Sequence, residues 1–224
     1  MKTIKKGSRG SYVKVIQTKL GITVDGFFGS DTENAVIKYQ KSHGLTPDGI
    51  VGQRTWESLG YRATSRDIDE IIIHCSATKE GVPFSIDQID ASHKARKFSS
   101  YTDLQCKTRY IGYHFVIMLD GTVQICRPID KIGCHASGHN ARSIGICYIG
   151  GLDSKGKVKD TRTPAQKASL ISLIKDLKNR YPTIDKVIGH RDTSPDLNGN
   201  GIIEPNEYIK GCPCFDAIPE YKDL

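Results

Sequence analysis

Apolar positions fall into two regimes along the chain. Over the first sixty residues they recur at helical spacing. Val13, Ile16 and Leu20 mark one amphipathic helix, and Ala35, Val36 and Tyr39 mark a second. Ser30 with Glu33 has capping-box spacing at the start of that second helix. Thr55 to Leu59 begins a shorter third. Between them, Gly21-Ile-Thr-Val-Asp25-Gly26-Phe-Phe-Gly29 recurs 23 residues later as Gly44-Leu-Thr-Pro-Asp48-Gly49-Ile-Val-Gly52. Each Asp-Gly pair puts glycine where a turn needs positive φ or close approach. Neither copy carries the regular oxygen ligands of a calcium loop, so both read as turns. Residues 1–60 are therefore predicted to be a small three-helix all-α domain, and 61–67, YRATSRD, a polar linker.

Beyond the linker the pattern shifts. Glu70-Ile-Ile-Ile-His74 is a buried-strand signal. Ser85 with Gln88 caps a helix running to about Lys97. Gly112 to Met118 and Thr122 to Cys126 flank an Asp120-Gly121 turn and predict a β-hairpin. Ser143 to Ile149 is another strand. Thr163-Pro164-Ala-Gln166 opens a helix, with proline at its first position, that ends at Tyr181-Pro182. Lys186 to Gly189 then leads as a strand into His190. Strands and helices intermix, so residues 68–224 read as an α/β domain with a mixed central sheet flanked by helices.

Composition adds bounds. The chain has 224 residues, enough for one large or two small domains. Its seven cysteines are too few and too scattered for a disulfide scaffold. Cys75 and Cys147 lie in apolar strand contexts and read as buried thiols. No apolar run reaches the roughly 18 residues that span a bilayer, so no membrane insertion is expected. The N-terminus, MKTIKKGSRG, has no apolar segment of the secretory type, so synthesis in the cytoplasm without a signal peptide is expected. The net charge of +7 points to an anionic partner: nucleic acid, a membrane surface or a wall polymer. Residues 1–60 hold 9 Lys+Arg against 5 Asp+Glu, and the rest 23 against 20, so the small domain is the more basic per residue.

Candidate chemistry concentrates in the second domain. Six of seven histidines are there: His74, His93, His114, His135, His139 and His190. His74 and His190 sit where predicted strands end, the usual place for ligands on a rigid scaffold. Lys210-Gly-Cys212-Pro213-Cys214 offers a cysteine beside a cation, which favours its thiolate. Two imidazoles and one thiolate would make a three-ligand zinc set, acidifying a bound water to a pKa of about 7. The spacing is not local, and the alternative is a hydrogen-bonded histidine at each strand end with an inert cysteine. His114, next to Tyr113 on a strand, faces the other way and reads as structural. His93, on a helix, reads as capping or packing.

Residues 4–60 resemble the type 1 peptidoglycan-binding domain, through Lys6-Gly-Ser-Arg-Gly10, Val24 to Gly29, Ala35 to Gln40 and Pro47 to Gly52 with Thr55-Trp56. Residues 68–218 resemble the type-2 N-acetylmuramoyl-L-alanine amidases, a family that includes phage endolysins and animal peptidoglycan recognition proteins. The matching stretches are Ile73-His74-Cys-Ser-Ala-Thr78, Gly112-Tyr113-His114-Phe115, Asp120-Gly-Thr122, Gly133-Cys-His135-Ala136, Asn140 with Ser143 to Ile146, Thr163 to Gln166, Gly189-His190 and Lys210 to Pro213. The resemblance implies zinc held by His74, His190 and Cys212, with Tyr113 and Lys210 as catalytic helpers. It places His135 and Asn140 near the substrate groove. It implies hydrolysis of the bond between N-acetylmuramic acid and L-alanine, by an endolysin that acts on the wall after release from the cytoplasm. An autolysin or an antibacterial effector amidase is the alternative of the same class. Some relatives use a glutamate as general base, and no counterpart is evident here.

One insertion carries its own signal. Asp196-Leu-Asn198-Gly-Asn200-Gly201, with Glu207 after five more residues, matches the EF-hand loop D-x-N-x-N-G-x5-E. Its oxygen ligands for calcium would be Asp196, Asn198, Asn200, the Ile202 carbonyl and Glu207. The alternative is an Asn-Gly-rich surface loop. Among function classes, a binding-only recognition protein lacking zinc is the main rival to the enzyme, and Cys212 argues against it. No helix-turn-helix or aromatic RNA motif supports nucleic acid as partner. The expected partner is peptidoglycan, and the expected state a monomer.

Overall fold

The computed structural model describes residues 3–60, 66–103 and 106–224, with Ser11 described for its backbone alone. Residues 61–65 of the predicted linker lie outside the described residues. The chain forms two compact units. One runs to Ile68 and includes Asp176–Asp185, and the other spans Asp69–Lys175 and Lys186–Leu224.

The first unit holds α1 (Ser11–Leu20), α2 (Ser30–Ser42) and α3 (Gln53–Ser58). Val13, Ile16, Phe28, Val36, Val51 and Trp56 fill its core. The sequence repeat is a structural repeat. Gln17 Nε2 donates to Asp25 Oδ1 (2.7 Å), the Phe27 carbonyl (3.1 Å) and Thr32 Oγ1 (3.1 Å). Its Oε1 accepts from Gly26 N at 2.8 Å. Gln40, in the second copy, makes the same four bonds to Asp48, Ile50, Thr55 and Gly49. Each aspartate also accepts from the backbone N–H two residues on, which closes the turn. Gly26 and Gly49 have φ of 74° and 70°, so an L side chain there would be strained. The expected Ser30–Glu33 capping box does not form. Gly29 is the N-cap, Ser30 is already helical, and Glu33 pairs with Lys6 at 2.8 Å.

The second unit is built on a five-stranded sheet of order β6-β5-β7-β1-β9. Its strands are β1 (Glu70–Cys75), β5 (Phe115–Ile117), β6 (Val123–Ile125), β7 (Ser143–Tyr148) and β9 (Lys186–Gly189). Two short pairs, β2 (Thr78–Lys79) with β8 (Gly151–Leu152) and β3 (Tyr101–Thr102) with β4 (Thr108–Arg109), lie outside it. Within the sheet only β5–β6 is antiparallel, and that is the predicted hairpin. β1 and β7 are buried along their whole length, as their continuous apolar runs require of central parallel strands. The predicted strand from Gly112 starts only at Phe115. Gly112 instead accepts from Cys134 N at 3.0 Å, and an added Cβ would lie 1.9 Å from the Cys134 carbonyl oxygen.

Helix α4 (Ile86–Ala95) opens with the full capping box of Ser85 and Gln88. Its Ile89 packs with Val116 and Cys147 on one face of the sheet. Helix α5 (Pro164–Arg180) opens with the reciprocal bonds of Thr163 and Gln166. Gln166 is fully buried and also donates to the carbonyls of Ile117 and Ile149, so the cap residue ties the helix to the sheet. A short α6 (Ala217–Tyr221) follows the C-terminal segment. No described helix is long and apolar enough to cross a membrane.

Candidate metal centre

His74 is the fifth residue of β1 and fully buried, and His190 directly follows β9. These strands are adjacent and parallel, with Ile73 paired to Gly189 in register. The next residue on each is therefore a histidine, at the carboxyl edge where parallel sheets present ligands. Their Nδ1 atoms lie 3.1 Å apart. Cys212 arrives from the C-terminal segment. Its Sγ lies 3.9 Å from His74 Nδ1 and accepts from Cys75 N at 3.2 Å. The backbone of the segment is fixed by Arg191 N donating to the Cys212 carbonyl (2.7 Å) and by the buried Tyr148 hydroxyl donating to the Pro213 carbonyl (2.7 Å). Gly189 leaves room for the Pro213 ring, since a Cβ there would lie 2.4 Å from Pro213 Cδ.

One ligand atom from each of His74, His190 and Cys212 lies within 4.8 Å of the others. Tetrahedral zinc at ordinary bond lengths needs about 3.3 Å between two nitrogens and about 3.6 Å between nitrogen and sulfur. The two separations from His74 Nδ1 lie within a few tenths of an ångström of these values, so the residues fit zinc. Their protonation fits too. Burial, then His135 and His190, holds His74 well below the usual imidazole range. Burial, then the Lys210 ammonium, lowers His190 to about 4. Both rings are neutral at neutral pH and offer lone pairs.

Behind the ligands stands a supporting layer. His135 Nδ1 lies 3.1 Å from His74 Nε2, on the side of the ring away from His190. A proton held on Nε2 by that bond leaves Nδ1 unprotonated for a metal. Asn140 Oδ1 accepts from the backbone N–H of His135 (2.8 Å) and Ala136 (2.9 Å), fixing the turn that carries His135. Gly133 and Gly145 make space for the imidazole. Added Cβ atoms would lie 2.4 and 2.6 Å from His135 Cδ2. A glycine inside a strand signals close approach, and Gly145 in the middle of β7 is that signal.

Tyr113 packs its ring 5.0 Å from that of His74. Burial pushes its phenol well above the ordinary value, so the hydroxyl stays a neutral donor. His114 uses both ring nitrogens on backbone, at the Lys131 carbonyl (3.1 Å) and Gly145 N (3.0 Å), which is a structural role. His93 Nδ1 accepts from Gly112 N at 3.0 Å, also a structural role. His139 pairs with the buried Glu70 at 2.8 Å.

A cavity of 460 Å³ opens beside the centre, lined among others by Arg96, Phe98, His135, Asn140, His190 and Lys210. Arg96 belongs to none of the motifs that the sequence marks. The fold turns it, with Lys210, into one of two cations on the groove wall.

The 196–207 loop is organised by its own side chains. Asp196 accepts from Gly199 N and Gly201 N, both at 2.7 Å. Asn198 and Asn200 accept from Asn200 N (2.9 Å) and Ile202 N (2.8 Å). Glu207 is buried and accepts from Leu197, Asn198 and Glu204 N–H groups.

The chain is similar to known proteins over both of its units. The N-acetylmuramoyl-L-alanine amidase family model matches residues 64–201, and a peptidoglycan binding domain model matches residues 9–59. The endolysin of Klebsiella phage KP32 is 34% identical over 151 residues, covering 67% of this chain and 83% of the relative. The endolysin of Escherichia phage T7 is 36% identical over 148 residues, covering 66% and 82%. Among solved structures, the N-acetylmuramoyl-L-alanine amidase LysC from Clostridium intestinale URNW superposes with a TM-score of 0.50 at 28% identity, covering 69% of this chain and 82% of that one. With His74, His190 and Cys212 gathered at one sheet edge and a family model spanning most of the second unit, the chain belongs to the N-acetylmuramoyl-L-alanine amidase family.

Proposed function

We propose that this chain is a zinc-dependent hydrolase that cleaves the amide between the lactyl group of N-acetylmuramic acid and L-alanine in peptidoglycan. The observation that carries the reading is the convergence of His74, His190 and Cys212 beside a groove edged by Arg96 and Lys210. Zinc bound there supplies a Lewis acid and acidifies a water. The chain's own groups do the rest. His135 holds the His74 tautomer. The Lys210 ammonium offers fixed positive charge to the oxyanion that forms as the amide carbonyl is attacked. Tyr113, a neutral donor against His74, is assigned to orienting the water or relaying its proton. Arg96 and Lys210 favour the anionic carboxylates of a stem peptide.

Residues 1–60 are proposed to hold the polymer and 68–224 to cut it. Two repeat-related clefts, of 570 and 530 Å³, support contact with a repeating wall ligand, because their linings correspond residue by residue at the 23-residue offset. The similarity to phage endolysins supports an endolysin that meets the wall after release from the cytoplasm. For the 196–207 loop we propose calcium as ligand, on the strength of its five oxygen positions and its glycine. Bound there, it would order the segment between His190 and Cys212.

The test is to incubate the protein with purified peptidoglycan, with and without a zinc chelator, and to assay new L-alanine N-termini by mass spectrometry. New reducing sugars in their place, or full activity in Cys212→Ala, would overturn the reading. Lys210→Met and Tyr113→Phe are expected to lower kcat by roughly 100-fold or more if these groups stabilise the oxyanion.

A further inference from the structure

Seven cysteines are free in this structure, and the metal centre uses one. Two others meet beside it. Cys75 is the last residue of β1, next to His74, and Cys214 lies two residues after Cys212. Their sulfurs are 3.5 Å apart, although the residues are 139 positions apart in sequence. A disulfide needs about 2.05 Å between sulfurs, so closing it requires the two sulfurs to approach by about 1.5 Å.

The surroundings favour the approach. Gly151 provides the space, because a Cβ there would lie 2.6 Å from Cys75 Sγ and 3.3 Å from Cys214 Sγ. Cys214 is held in the left-handed region at φ 72°, where a non-glycine residue is uncommon, with its N–H donating to the Gly211 carbonyl at 2.7 Å. Cys75 is fixed by strand pairing to Tyr148, whose hydroxyl holds the Pro213 carbonyl. Both thiols are therefore anchored to the same rigid frame. Cys214 is the more accessible of the two, being half-buried where Cys75 is buried.

We propose that Cys75 and Cys214 form an oxidative cross-linking site for small disulfides, one that joins the end of β1 to the segment carrying Cys212. With glutathione disulfide, the Cys214 sulfur attacks one reagent sulfur. The reagent S–S bond breaks, one glutathione leaves, and a mixed disulfide remains. The Cys75 sulfur then displaces the second glutathione from Cys214 and forms the protein S–S bond. Two electrons pass to the reagent, and the two protein thiol protons end on two glutathione thiols. Cys212 takes no part in the exchange and stays available to hold a metal. The cross-link holds the ligand-bearing segments in register where the surroundings are oxidising. This inference rests on sulfur geometry and is independent of the substrate assignment.

The experiment equilibrates the full-length, zinc-loaded chain with glutathione disulfide, alkylates free thiols and maps peptides by mass spectrometry without reduction. The expected product is a Cys75–Cys214 linked peptide, with Cys212 unlinked and the zinc content unchanged. The oxidised protein should melt roughly 5–15 °C above the reduced one, a difference that Cys214→Ser abolishes. A linked peptide containing Cys212, a glutathione adduct on Cys214 that does not close, or alkylation of both Cys75 and Cys214 under excess oxidant would each overturn the proposal.

Discussion

Replacing His135 with alanine tests the supporting layer directly. The imidazole is buried, and its Nδ1 is the partner of His74 Nε2 at 3.1 Å. In His135→Ala that buried N–H loses its acceptor, at a cost of about 1–3 kcal/mol. Part of the cost is avoided if the proton moves to Nδ1, where His190 Nδ1 lies 3.1 Å away as an alternative acceptor. That tautomer blocks the metal, so the cost reappears in zinc binding. At about 1.4 kcal/mol per tenfold, zinc affinity should fall roughly 10- to 100-fold. The assay is chelator competition at pH 7.5, with denaturant unfolding of the metal-free protein alongside to separate stability from affinity. His135→Asn supplies an amide oxygen near the lost Nδ1 and should recover most of the affinity, whereas alanine should not. Equal zinc affinity in wild type and His135→Ala would refute the reasoning, as would equal losses in both variants.

Three further outcomes follow from the same geometry. His93 and His190 are lowered to about 4 and His74 lies well below its ordinary value, so the unfolded chain binds these protons first as pH falls. The metal-free protein should therefore lose stability from about pH 6.5 down to about pH 4, and urea midpoints that stay level across that window would contradict it. Gly145→Ala places a Cβ about 2.6 Å from His135 Cδ2, so overpacking should cost roughly 1–3 kcal/mol and weaken zinc binding, measured by denaturation and chelator competition. Glu207→Gln should abolish calcium binding in calorimetry, and a wild-type chain that takes up no heat with calcium and melts unchanged in chelator would remove the calcium proposal.

Local order was legible in the residues because it depends on neighbours in sequence. The capping boxes at Ser85 and Thr163, the Asp120-Gly121 hairpin and the apolar run of β1 all appear where the pattern put them. The 23-residue repeat was visible as letters, and the structure turns it into two matched glutamine networks. The exceptions are also local. Ser30 failed as a cap because Gly29 already fills that position, and the strand at Gly112 was delayed by close backbone approach to Cys134.

Neighbouring residues in the chain set the elements and most of their caps, and family resemblance implied which side chains would hold a metal. Sequence alone could not bring them together. His190 is 116 residues from His74, and Cys212 is 138 residues from it. Only the β1–β9 register, with Ile73 opposite Gly189, sets the two imidazoles side by side. The role of His135 as support for His74, the conversion of Arg96 into a groove cation, and the meeting of Cys75 with Cys214 were likewise tertiary decisions. Each depends on which strand edge or loop a distant segment packs against, and no local periodicity carries that distance.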